Sequence, residues 1–366
     1  MGFPLVSTLT AVALLAAVPA PIAAARPGAA LDRSLAQDPL TVARAMFADQ
    51  SLVVAAELAP DGNTATETDP RAVGASSVAM AGFPTSGGDF GMISTGDTAL
   101  APQPNNHPAT STELDGLNTN MGQDLAGLVV TFTAPPGANC LTVDVKLLSE
   151  EYPDFVGGEF NDFAAANINT SAGPTVSGSD PSLPANFLFD GSDPPNELEI
   201  NQSQLLSAEA ASGTTYDGAT PILVAQTEIV PSASNTLRLW AGDVGDSVFD
   251  TTLFMDDVRV FANTPCPTLT KGPSKLGKIK AKVSQGRATI RGSVLPAAPG
   301  DKVALTFFAN GSPMKKRATK RATLNSQSRY RKRFKVPSEA TRCKVRVVFP
   351  GNAGHFPSSG KKRFRC

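Results

Sequence analysis

The sequence predicts an all-β chain, a jelly-roll-like β-sandwich followed by a smaller Ig-like β-sandwich. Three observations predict it. The chain has 366 residues, more than a single core commonly serves, and its 31 Gly and 30 Pro beside only 18% charged residues describe many short strands joined by turns. Alternating or continuously apolar runs recur along it, bounded by Gly, Pro, Asn or Asp. The charge is also divided: residues 271–366 carry 25 Lys and Arg against 2 acids, and residues 1–270 carry 7 against 31. A net charge of −1 therefore conceals two regions of opposite sign.

At the N-terminus, LTAVALLAAVPAPIAAA is an apolar run ending in small residues, with an Ala23-x-Ala25 cleavage site before Arg26. It predicts a signal peptide over 1–25 and hence export. The run is short and broken by Pro19 and Pro21, and no later stretch approaches the length of a spanning helix, so the mature chain is expected to have no membrane span. DPLTVARAMFADQ then predicts a helix capped by Asp38 and started by Pro39, with Leu40, Ala43, Met46 and Phe47 on one face. The runs SLVVAAEL, FGMIST, LVVTFTA, LTVDVKLL, TPILVAQTEIV, LRLWAG and TTLFMDDVRVFA supply the strands of an acidic sandwich over 37–262. In CLTVDVKLL, Leu141, Val143, Val145 and Leu147 share one face and Thr142, Asp144 and Lys146 the other, the pattern of a half-buried antiparallel strand.

Residues 263–277 are rich in Pro, Gly and Thr and read as a linker. Over 278–366, about seven short runs such as KIKAKV, RATIRGSV, KVALTFF, YRKRFKV and CKVRVVF suit a basic Ig-like sandwich, resembling bacterial Ig-like accessory domains in ATIRGSVLPAAPGDKVALTFFANGSP. Their charges alternate with apolar residues and so belong to the solvent face. Four cysteines in an exported chain read as two disulfides. Cys343 shares a face with Val345 and Val347, and Cys366 shares one with Phe364, so these two point into one core, leaving Cys140 with Cys266. No CxxC pair is present, which disfavours zinc and thiol redox chemistry.

Two acidic stretches carry the chemistry of the first half. SEEYPDFVGGEFNDF, residues 149–163, holds five carboxylates and four aromatic rings. DVGDSVFDTTLFMDDV, residues 243–258, holds Asp243, Asp246, Asp250, Asp256 and Asp257. LLSEEYPDFVGGEFNDF, FGMISTGDTAL and AGDVGDSVFDTTLFMDDV, in that order, resemble the signature segments of the choice-of-anchor L domain. That resemblance covers about residues 37–262. It implies an exported bacterial surface protein joined to a differing C-terminal module. At FAAANI the chain departs from the aromatic-rich strand usual in that family.

Acids gathered on the loops of an exported sandwich suit Ca²⁺, which takes six to eight oxygen ligands. Glu151, Asn161, Asp162, Asp246, Asp250 and Asp256 form the candidate set, with spacing unlike an EF-hand loop. The competing reading is that these acids cap turns and accept backbone N–H bonds. Strict alternation sets Asp256 beside Phe254 and Val258, so it is expected to be paired, metal-bound or displaced by a bulge. The enzyme alternative is a secreted glycoside hydrolase using two carboxylates among Glu150, Glu151, Glu159, Glu197 and Glu199, with Trp240 or Tyr152 stacking on a sugar. Neither an E-x-D-x-x-E nor an E-x-D-x-E strand motif supports it. His107 and His355 lie in different halves, which disfavours a Ser-His-Asp constellation, and the absence of a P-loop or Rossmann glycine motif disfavours nucleotides.

In the basic half, Lys315, Lys316, Arg317, Lys320 and Arg321, then Arg329, Arg331 and Arg333, then Lys361, Lys362 and Arg363 form runs expected to attract a cell-envelope or extracellular polyanion or glycan. The functional expectation is non-catalytic adhesion or ligand binding at the cell envelope.

Overall fold

The computed structural model describes residues 38–59, 68–105, 112, 114, 123–190, 196–201, 205–272, 274–295, 300–310, 315–352, 355–356 and 358–366. The expected signal peptide and His107 lie outside the described residues. One helix, α1 (Pro39–Met46), opens the fold, and the Asp38 carboxylate caps it by accepting from Thr41 N at 3.0 Å. The strands of the acidic part are β1 (Val53–Leu58), β2 (Val73–Ser76), β3 (Phe90–Ser94), β4 (Gln123–Thr133), β5 (Cys140–Ser149), β6 (Phe163–Ile168), β7 (Thr175–Ser177) and β8 (Asp180–Ser182). There follow β9 (Leu198–Glu199), β10 (Gly218–Ala219), β11 (Leu223–Glu228), β12 (Ser234–Asp243), β13 (Thr251–Phe261) and β14 (Leu269–Lys271). The basic part has β15 (Lys275–Leu276), β16 (Lys280–Ser284), β17 (Arg287–Leu295), β18 (Lys302–Ala309), β19 (Lys315–Thr323), β20 (Arg329–Lys335), β21 (Arg342–Phe349) and β22 (Ser358–Arg365).

The fold is all-β. One antiparallel sheet runs β1-β4-β12-β6-β9 and a second runs β14-β11-β5-β13-β3-β2. Their facing sides close over one core. Leu128, Val130, Phe132, Leu237 and Leu239 from the first sheet pack with Leu141, Val143, Val145, Leu147, Leu253 and Met255 from the second, and Val42, Ala43 and Met46 of α1 join them. Alternation along each strand produces this layer, which makes the acidic part a β-sandwich. On the outer side of the second sheet, Phe83, Phe90 and Phe254 form a further cluster.

In the basic part, β15-β17-β16 with β20 on β17 face the sheet β19-β18-β21-β22, with Ile290, Leu305, Phe307, Phe334, Val345 and Val347 between them. The residues 263–277, expected as a linker, contribute a strand to each part. β14 pairs with β11 on the acidic side, and β15 pairs with β17 on the basic side.

Both expected disulfides form. Cys140–Cys266 ties the start of β5 to this connecting segment, and Cys343–Cys366 ties β21 to the end of the chain. Among the described residues no helix is long and apolar enough to cross a membrane.

Candidate functional site

Antiparallel pairing decides which residues meet at each end of the acidic sandwich. The C-terminal ends of β3, β5 and β12 and the N-terminal ends of β4, β6 and β13 all lie at one end. That end receives Glu150 and Glu151 after β5, Asp162 before β6, Asp243 closing β12 and Asp250 before β13. These five carboxylates are buried, at 4%, 1%, 1%, 2% and 3% exposure. Asp124, at the start of β4, is buried with them, and Asp246 sits half-buried on the loop between β12 and β13.

The hydrogen bonds around these groups leave much of their capacity unused. Asp162 accepts from Val244 N at 3.0 Å and from Thr251 Oγ1 at 2.7 Å. Asp250 accepts from Thr112 N at 3.3 Å, and Glu150 Oε1 from Thr215 Oγ1 at 3.4 Å. Glu150 Oε2, Glu151 Oε2 and both oxygens of Asp243 are buried with no hydrogen-bond partner. Burial and then the neighbouring carboxylates push Glu150 and Glu151 up to about 8, Asp250 and Asp217 acting on the first and Asp162 and Asp246 on the second. Burial pushes Asp250 up to about 8 as well, and raises Asp162 and Asp243. The Arg71–Asp69 and Arg259–Asp257 ion pairs lie elsewhere.

Aromatic rings of the same two loops roof this end. Phe155 stands 5.3 Å from Phe160 and 5.4 Å from Phe249, so the two acidic stretches are held together by ring contact. Gly96 follows β3 where a Cβ would lie 1.8 Å from Asp250 Oδ2, so only glycine leaves room for that carboxylate.

Of the expected calcium set, Glu151, Asp162, Asp246 and Asp250 come together. Asn161 instead ties loops, donating to Ser179 O at 2.8 Å and accepting from Asn201 N at 2.9 Å. Asp256 lies away from the cluster and accepts from Thr85 N at 2.6 Å and Ser86 N at 2.9 Å. Of the three fates open to it, pairing is the one observed: Asp256 keeps its register opposite Asp144, and the bulge falls after it, at Asp257 with φ +52°. Glu150 and Asp243 complete the cluster without having been in the set. The signal for Asp243 was its place as the first acid after LRLWAG, at a strand end.

Trp240 is 3% exposed and packs against Gly127, Leu125 and Phe163, so it is core and not a sugar platform. Glu199 is likewise buried, pushed up to about 7 by desolvation.

The model of one sequence family, the choice-of-anchor L domain, matches residues 55–259. The chain belongs to the choice-of-anchor L domain family. No curated protein matches it. Among solved structures, β-glucuronidase from Parabacteroides merdae with glycerol in its active site aligns at 8% identity and TM-score 0.20, over 73% of this chain and 29% of that one. β-Glucuronidase from Bifidobacterium dentium complexed with coumarin-3-O-glucuronide aligns at the same identity and TM-score, over 73% of this chain and 44% of its own. The chain thus spans less than half of either enzyme, and likeness of that degree carries no argument about activity. A choice-of-anchor L domain and two disulfides are the features of a cell-surface or extracellular protein.

The basic part lies C-terminal to the matched choice-of-anchor L residues. Its register sets cations in rows. Across β16, β17 and β20, Lys280 faces Arg291, which faces Arg331; the next rows are Lys282, Thr289 and Arg333, then Ser284, Arg287 and Lys335. Ile290, Phe334 and Tyr330 occupy the alternate, buried positions. At one end of this sheet, Lys278, Lys280, Arg291, Arg329 and Arg331 line a depression of about 720 Å³. Arg329, Arg331 and Arg333 therefore meet Lys280, Lys282, Arg287 and Arg291, which the basic runs had not singled out. The other expected cations lie on the opposite sheet, Lys315, Lys316, Arg317, Lys320 and Arg321 on β19 and Lys361, Lys362 and Arg363 on β22, at its two edges. Lys320 joins the two sheets by donating to Arg333 O at 2.8 Å.

Proposed function

We propose that this choice-of-anchor L protein is a non-catalytic adhesin of the cell envelope, and that the outer face of β16, β17 and β20 holds an anionic glycan polymer. The row Lys280–Arg291–Arg331 carries the reading. Like charges set directly opposite one another on a sheet are destabilising, and the described residues of these three strands offer no acid to relieve them. An anionic chain laid across the strands relieves that repulsion and releases its counterions. Among the described residues the outward positions of these strands carry no aromatic ring, and Tyr330 at the depression is only 2% exposed, which favours a glycan over single-stranded nucleic acid. The glycosidase alternative has less support, since Glu150, Glu151 and Glu199 are each at most 5% exposed and beyond the reach of a sugar.

Heparin and purified envelope glycans, titrated onto the full chain at several salt concentrations, test the proposal. Binding should weaken as salt rises, and the triple substitution Lys280→Gln, Arg291→Gln, Arg331→Gln should reduce the log–log salt slope by about 2 to 3. Single-stranded DNA bound as tightly as the glycans, or an unchanged slope in the triple variant, would refute it. Hydrolysis of any glycan in the same panel would move the enzyme alternative ahead.

A further inference from the structure

Three buried side chains at the loop end of the acidic sandwich have oxygens that nothing satisfies: Glu150, Glu151 and Asp243. Each is more than nine-tenths buried. A buried carboxylate oxygen without a donor forfeits the hydration it had in water, a cost avoided only by a proton, a cation or a hydrogen-bond donor. Glu150 Oε2 and Glu151 Oε2 meet no donor, and the charged side chains that act on Glu150 and Glu151 are acids. The acids that do face the cluster are Asp97 from the turn after β3, Asp124 from β4, Asp217 beside β10 and Asp246 from the β12–β13 loop. Among the described residues these acids add negative charge around the cluster.

We propose that Glu150, Glu151, Asp162, Asp243 and Asp250 bind one Ca²⁺ ion, with Asp246 at its solvent side. This inference does not rest on the anionic-glycan reading. A donor set of carboxylate oxygens without histidine or cysteine selects a hard cation. The ligands come from four strand ends and one loop, an irregular frame that suits the adaptable six- to eight-fold shell of Ca²⁺ better than the rigid octahedron of Mg²⁺. Gly96 adds a second indication, because the space that a side chain would fill there is given to the Asp250 carboxylate. Among the described residues no three His, Cys, Asp or Glu side chains already stand grouped for coordination.

Calorimetric titration of CaCl₂ into the chelator-treated full chain, with MgCl₂ as a parallel arm, tests the site. A single saturable event is expected for Ca²⁺, with Kd at or below about 1 mM as in extracellular calcium modules. Asp243→Asn and Glu151→Gln should each weaken it at least about tenfold, whereas Asp256→Asn, remote from the cluster, should leave it unchanged. Absence of Ca²⁺ binding by the unmodified chain up to about 10 mM would overturn the proposal without any variant. So would equal weakening by Asp256→Asn, or binding of Mg²⁺ as tight as that of Ca²⁺.

Discussion

Replacing both members of one disulfide with alanine tests whether the two sandwiches fold as separate units. Cys140 and Cys266 are 126 residues apart, and Cys343 and Cys366 are 23 apart. On the chain-entropy account, the longer crosslink restrains the unfolded state by about 5 kcal/mol and the shorter by about 3.4 kcal/mol. With a urea dependence of about 2 kcal/mol per molar, these correspond to midpoint shifts of about 2.5 M and about 1.7 M. Trp240 is the single tryptophan and is buried on the outer side of the first sheet of the acidic sandwich, so its fluorescence reports that part alone. Far-UV circular dichroism reports both. Cys343→Ala with Cys366→Ala should lower only the transition that fluorescence does not see, and Cys140→Ala with Cys266→Ala should lower the Trp240 midpoint. If removing Cys343–Cys366 moves the Trp240 midpoint by a comparable amount, the two cores unfold as one and the separation into modules is wrong.

Two further predictions concern buried acids. Glu199 is raised from its ordinary 4.5 to about 7, mainly by desolvation and against a hydrogen bond from Asn161, so the folded state holds its proton more tightly than the unfolded chain does. Its contribution to stability is fully present below pH 4.5 and is lost as pH climbs through 7. Within that window, the unfolding free energy of wild type should fall relative to that of Glu199→Gln by up to about 1.4 kcal/mol per pH unit as pH rises, and parallel curves would refute the assignment. Asp256→Ala should cost about 3 kcal/mol by stranding the N–H groups of Thr85 and Ser86, equally with chelator and with calcium, and a loss below about 0.5 kcal/mol would show that the loop anchors itself otherwise.

The alternation in CLTVDVKLL was legible and correct for its apolar face: Leu141, Val143, Val145 and Leu147 are all at 0% exposure. The opposite face was only half legible. Lys146, expected in solvent, is 4% exposed, donating to Ala81 O and to Ala210 O, the latter at 2.9 Å. The segments holding Phe83 and Tyr216 cover that side of the sheet, and periodicity within one strand carries no information about what a distant loop will cover. The same reason separates the site residues found from those missed. Acidic stretches mark loop ends, but which acids turn inward is decided by pairing across strands: Asp256, opposite Asp144 within β13, is too far along the strand to reach the loop end and meets Thr85 and Ser86 instead. The basic rows were hidden similarly. Runs such as RYRKRFK are visible in sequence, whereas Lys280 and Arg291 join Arg331 only through the register of three strands.

The two concentrations of charge differ in what they demand, because burial differs. Two unit charges about 4 Å apart repel by about 1 kcal/mol in water and about 4 kcal/mol at the effective dielectric near a protein interior. The cations of β16, β17 and β20 are exposed, so water and salt screen them and the fold tolerates the rows without a ligand. Their attraction to an anionic chain is accordingly a surface effect that salt should erase. The carboxylates of the β5, β6, β12 and β13 ends are sealed at 1–4% exposure, where screening is weak. They must be neutralised within the fold, by protons or by a cation. The proposed glycan binding, governed by arginine and lysine, should not change as pH is raised from about 6 to about 9.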